Sequence, residues 1–91
     1  MKSNDFDKET TTKAGETTES YMTNNFQDIE TVEIEKVYRD PMGGMSIDGT
    51  VNEQYEFSLG MDEDDYTVQS GGYGEGFPDF KKECEDTVCD Y

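Results

Sequence analysis

Apolar and polar residues alternate along the middle of this chain with a period of two, and that period predicts strands. In Thr31-Val-Glu-Ile-Glu-Lys-Val-Tyr38, positions Val32, Ile34, Lys36 and Tyr38 share one face. Asp40-Pro-Met-Gly-Gly44 then turns the chain. Pro41 presets the backbone angle of a turn and Gly43 or Gly44 supplies a positive φ, so the flanking strands are antiparallel. Met45, Ile47, Gly49 and Val51 alternate with Ser46, Asp48, Thr50 and Asn52, which are expected to face water. After a short connection over 52–54, Tyr55, Phe57, Leu59 and Met61 alternate with Glu56, Ser58 and Gly60. Asp62-Glu-Asp-Asp65 forms the next turn, and Tyr66-Thr-Val-Gln-Ser70 gives a shorter fourth strand with Tyr66 and Val68 inward. Four strands joined in order by turns form a meander.

Such a sheet is apolar on one side only, so another element must cover that side. The stripe Ala14, Thr18, Tyr21, Met22 and Phe26, spaced by threes and fours, predicts an amphipathic helix that ends near Asn24 and Asn25. Gly15 and the many threonines weigh against it. The expected fold is therefore α+β, one N-terminal helix packed across a four-stranded antiparallel meander, spanning residues 14–80. Residues 1–13, nearly without apolar side chains, are expected to be mobile, and 81–91 to form an acidic C-terminal tail. Gly71-Gly-Tyr-Gly-Glu-Gly76 is expected to be flexible or turn-forming, with Phe77-Pro-Asp-Phe80 tucking its aromatics against the sheet.

Charge changes the picture from fold to partner. The 91 residues hold 23 Asp plus Glu against 7 Lys plus Arg, a net charge of −16, spread over the whole chain with no isolated acidic block. Nucleic acid and anionic lipid are repelled at long range, so no direct nucleic-acid binding is expected, and a basic protein is the natural partner. No window is apolar enough for a membrane span, and the first thirty residues lack a signal-peptide pattern. The expected location is extracytoplasmic, at the cell envelope, if a signal and lipid anchor were trimmed away, and cytoplasmic otherwise.

Catalytic chemistry finds few tools in this composition. There is no His, and a thiolate at Cys84 or Cys89 is disfavoured by Glu83, Glu85, Asp86 and Asp90. The two cysteines suit either a small disulfide loop or two free thiols; zinc would want more ligands. A bridge would favour an extracytoplasmic home. Glu33 and Glu35 alternate with core positions and face solvent, which argues against paired-carboxylate catalysis. The run Asp62–Asp65 lacks the ligand spacing of a calcium loop, and the glycine-rich stretch carries Glu75 and no following Lys for a phosphate. No enzyme activity, metal or cofactor is expected.

The stretch Asn25-Phe-Gln-Asp-Ile-Glu-Thr-Val-Glu-Ile, then Asp40-Pro-Met-Gly-Gly-Met-Ser-Ile-Asp-Gly-Thr-Val-Asn52 and Tyr-Glu-Phe-Ser, resembles a family of small Gram-positive lipoproteins, the domain-of-unknown-function family 1433. The resemblance covers about residues 20–70 and is most specific from Pro41 to Asn52. There the turn Asn/Asp-Pro-Met-Gly followed by Gly-x-x-Asn is the family's recurring signature. It implies a cystatin-like fold, no catalytic residues and, from a role suspected for some relatives, neutralisation of toxins made by neighbouring genes. Two features depart from the pattern: no lipobox cysteine precedes the helix, and the charge is more acidic.

Together these readings point to an immunity or inhibitor protein that docks on a basic site of a toxin or enzyme. Glu33, Glu35, Asp62, Glu63, Asp64 and Asp65 are the expected steering charges, with Tyr73 and Phe77 as aromatic anchors. Two other roles suit the same composition: a DNA mimic that blocks a nucleic-acid-binding protein, and a lipoprotein-derived surface domain with a structural role. An exposed last strand could also pair edge to edge into a homodimer.

Overall fold

A computed structural model describes residues 6–41, 44–85 and 87–89. Helix α1 runs Lys8–Asn25, followed by strands β1 Val32–Arg39, β2 Met45–Val51, β3 Tyr55–Met61 and β4 Val68–Tyr73. The four strands form one antiparallel sheet in the order β1-β2-β3-β4, as the alternation predicts. The expected turn at Met42 and Gly43 lies outside the described residues; at its rim the Asp40 N–H donates to the Gly44 carbonyl at 2.7 Å.

The helix begins at Lys8, earlier than the apolar stripe suggests. Asp7 is its N-cap, accepting from the Thr10 N–H at 2.8 Å, and Glu9 places a negative charge in the first turn where the helix dipole favours it. Those hydrogen bonds to Thr10 also hold the Asp7 carboxyl below its ordinary pKa. Capping thus carries the helix through threonines whose propensity is poor. Part of the expected mobile segment is therefore helical, and residues 1–5 lie outside the described residues. Ala14, Thr18, Tyr21, Met22 and Asn25 form the buried stripe, which packs against β1 and β2.

Between them, helix and sheet enclose Met22, Met45, Ile47, Val51, Leu59 and Met61, each at most 1% exposed. Register places these residues on one face: Met45 lies opposite Met61, Ile47 opposite Leu59, and Gly49 opposite Phe57. A Cβ at Gly49 would run into the Glu33 carbonyl and the Phe57 ring, so their close approach requires glycine there. Val51 pairs with Tyr55, so residues 52–54 form the β2–β3 loop. Within it the Gln54 N–H donates to the Val51 carbonyl, and both central residues of that turn have positive φ, 53° at Asn52 and 64° at Glu53, as a type I′ turn demands. The Asn52 amide also accepts from the Glu30 and Thr31 N–H groups and donates to the Asp28 carbonyl, tying the α1–β1 loop to this turn.

Three strand expectations are corrected. In β1 the register shifts between Ile34 and Lys36, a bulge at Glu35. Val37 therefore joins Val32 and Ile34 on the helix side, opposite Ile47, while Lys36 and Tyr38 move to the other face, opposite Asp48 and Ser46. In β2, Ser46 and Thr50 do lie on that other face but are buried, because the Asp40 and Glu35 carboxylates close over their hydroxyls at 3.0 and 2.6 Å. In β4 the strand starts at Val68 and takes in Gly71, Gly72 and Tyr73, while Tyr66 sits in the preceding turn at φ 60°. Two glycines are poor strand formers alone, but here Gly71 pairs with Leu59 and Gly72 with Ser58, and Tyr73 pairs with Phe57.

The C-terminal segment is docked. Phe80 stacks on Phe26 at 4.3 Å between ring centroids, and the two residues form a β-bridge. A short 3-10 turn, Lys82–Cys84, follows, and Cys84 and Cys89 pair in a disulfide. The buried Asn25 amide donates to the Cys89 carbonyl and accepts its N–H, which clamps the disulfide loop to the end of α1.

Candidate functional site

One face of the sheet carries α1, and no other described element lies over the opposite face. That open face is built from the residues that alternate with the core. β1 contributes Glu33, Glu35, Lys36 and Tyr38; β2 Ser46, Asp48 and Thr50; β3 Glu56, Ser58 and Gly60; β4 Ser70 and Gly72. With Asp40, bonded to Ser46, five carboxylates among the described residues share the face with a single described cation, Lys36, whose ammonium sits 4.8 Å from the Tyr38 ring centroid.

A shallow trough of about 560 Å³ crosses all four strands. Glu35, Tyr38, Asp48 and Glu56 stand around it, and Ser58, Gly72 and Gly74 leave its β4 side low. The depression follows from sequence: side chains reduced to a hydrogen or a hydroxymethyl on β3 and β4 face larger ones on β1. Two carboxylates are fixed by hydroxyls, Glu35 by Thr50 at 2.6 Å and Asp48 by Ser58 at 2.7 Å. Orientation is thus set in advance while the negative charge is kept. Charged acceptors held over a wide, shallow surface suit the recognition of ammonium or guanidinium groups.

The expected site residues do not form one surface. Glu33 and Glu35 belong to the open face, near Thr50. Asp62–Asp65 forms the β3–β4 turn at the end of the sheet where β1 leaves for β2. There the Asp62 carboxylate accepts from the Asp64 and Asp65 N–H groups, and Asp65 from Thr67, which lowers the Asp65 pKa. Glu63 pairs with Arg39 at 2.7 Å, and Lys13 lies over the neighbouring Tyr66 ring. Two of the chain's few cations thus already stand at that acidic tip, which is folded into an Asx-type turn.

Tyr73 and Phe77 lie at the other end of the sheet, on the helix side. They pack with each other at 4.8 Å and with Phe26 at 5.2 and 5.1 Å. Tyr73 keeps 37% of its surface exposed, but its hydroxyl end turns inward over Gly71. Burial, and a hydrogen bond with Tyr21, push its phenol well above the ordinary value. Its ring therefore braces β4 against α1 while one side remains accessible.

Asp40, Asp48, Glu56 and the glycine floor were not among the residues singled out from sequence. Asp48 and Glu56 could have been found from the polar alternants of β2 and β3; Gly72 could not, because the glycine-rich stretch reads as a loop. Among the described residues no three acidic or sulfur side chains are grouped to hold a metal ion, and no helix is long and apolar enough to cross a membrane. Compared with family models, curated proteins and solved structures, the chain matches none.

Proposed function

We propose that this chain is a non-enzymatic binding protein of the immunity or inhibitor type, which lays the acidic open face of its sheet on a basic site of a toxin or enzyme. The observation that carries the reading is the uncovered face itself, where Glu35, Asp48 and Glu56 stand around a trough, Glu33 and Asp40 lie on the same face, and Lys36 is the one cation among the described residues. A net charge of −16 draws a basic partner in at long range, and the pre-oriented carboxylates then select guanidinium or ammonium groups at contact. The low floor admits the partner's side chains. The Cys84–Cys89 disulfide supports an oxidising, extracytoplasmic setting for this encounter.

Affinity capture from the source organism tests this, with the native domain and a Glu35→Gln, Asp48→Asn, Glu56→Gln variant as parallel baits. These changes keep hydrogen-bond acceptors for Thr50 and Ser58 and remove three charges. One basic protein held by the native domain, released by high salt, inactivated on binding and missed by the variant is the expected outcome. Equal retention by both baits would move the site elsewhere. Displacement of the captured protein by duplex DNA would favour a DNA mimic.

A further inference from the structure

The two edges of the sheet differ in how they are guarded. β1 carries the Glu35 bulge and the charged residues Glu33, Lys36 and Arg39, all of which discourage pairing with another strand. β4 is bulged as well, at Gln69, but from Ser70 to Tyr73 its ladder with β3 is regular; between Val68 and Tyr73 it has neither a charge nor a proline, and residues 69–74 are exposed. Its outward hydrogen-bonding groups follow from the ladder. The Gly74 N–H donates to the Glu56 carbonyl at 2.8 Å, in register with Gly72 opposite Ser58 and Ser70 opposite Gly60. By the alternation of an antiparallel pair, Gly71 and Tyr73 between them turn both N–H and C=O away from β3, about 7 Å apart along the edge.

Resting on the basic-partner reading above, we propose that an extended segment of the partner adds to β4 as a fifth strand, with a Lys or Arg opposite Gly72 reaching into the acidic trough. Residues opposite one another share a face, so a side chain beside Gly72 points to the open side. A Cβ at Gly72 would meet only the Ser58 carbonyl, at 4.0 Å, which leaves the lane across β4 unobstructed. Glu56 stands on β3, about 10 Å or two strand spacings from the added strand, a gap that a basic and an acidic side chain close between them.

The residue opposite Tyr73 points to the helix side, beside the exposed part of the Tyr73 ring and the half-buried Phe77. An apolar residue belongs there. The segment thus alternates basic and apolar positions, with main-chain bonds supplying affinity and the alternate side chains specificity. A second copy of this chain fits poorly. Its own β4 has no basic residue to fill the trough, and each copy carries a charge of −16.

The test uses the full chain, isotopically labelled, and a short synthetic peptide alternating Lys and Val, compared at low salt with the same peptide N-methylated on alternate amides in each of the two phases. One phase should weaken binding by about tenfold, the loss of two main-chain hydrogen bonds, and the other should not. The Gly71 and Tyr73 amides should exchange slowly only when peptide is bound, and Gly72→Leu should weaken binding while leaving those amides protectable. Binding unaffected by either methylation, with Gly71 and Tyr73 unprotected, would overturn the fifth strand while leaving the acidic face as a charge-driven site. No binding of the peptide at low salt would overturn both readings. Protection of the same amides in the protein alone, rising with its concentration, would give the edge to a second copy and overturn the proposal.

Discussion

On the helix side of the sheet Met45, Ile47, Leu59 and Met61 are sealed from solvent, whereas on the open side the same two strands present Asp48, Glu56 and Ser58 with no described element above them. One alternation therefore divides the labour. Burial of apolar area on the first face supplies most of the stability that a domain of 91 residues can muster, and the second face is left to chemistry that folding does not need. Substitutions should sort accordingly: large losses of stability with no specific loss of binding on one side, and the reverse on the other.

The largest loss belongs to the covered face. Leu59→Ala should cost about 3 kcal/mol in denaturant unfolding, from lost transfer energy plus the cavity left opposite Ile47. Replacing Cys84 and Cys89 together by serine should cost about 2 kcal/mol, the closure entropy of so short a loop, and should loosen the Asn25–Cys89 clamp. Hydrogen exchange at the end of α1 would register that loosening.

Asn52→Ala removes three hydrogen bonds and a residue that tolerates positive φ, for a loss of about 1–2 kcal/mol. Its neighbour reports the opposite sign: Glu53→Gly relieves a φ of 64° and should gain up to about 1 kcal/mol. Smallest of all, the Glu35→Gln, Asp48→Asn, Glu56→Gln variant should unfold within about 0.5 kcal/mol of the parent. If it unfolds far more easily, the open face takes part in folding and the division between the faces fails.

The meander, its strand order and the buried stripe of α1 were legible because strict periods of two and of three to four leave little choice of register. The β1 bulge was masked by a false continuation: after Val32 and Ile34, Lys36 and Tyr38 keep the period in position though not in character. Val37 was the clue, an apolar residue on the wrong parity that only an extra residue in the strand can bring inward. β4 was misplaced because glycine carries no side chain to mark a face; its strand is set by Phe57 and Leu59 across the ladder, which is tertiary information. The early start of α1 depended on a single cap at Asp7.

Of the expected site residues, Glu33 and Glu35 lie on the open face and Asp62–Asp65 at a turn that Arg39 and Lys13 already approach. The bulge also sets the character of the open face, since it brings Lys36 and Tyr38 beside Asp48 and Ser46. Within Gly49-Thr-Val-Asn52, Gly49 allows the close approach of the Glu33 carbonyl and the Phe57 ring, and Asn52 knits two turns together. Gly49 also lines the trough, whereas Asn52 lies outside it.

The acidic open face and the acidic β3–β4 turn are rival sites for the same kind of partner, and an amide NMR perturbation map of the labelled chain with its captured partner separates them most directly. The account predicts changes concentrated at Glu35, Asp48, Glu56, Ser58 and Gly72, fading as salt is raised, with Asp62–Asp65 little affected. Changes centred on Asp62–Asp65, with the open face silent, would contradict it.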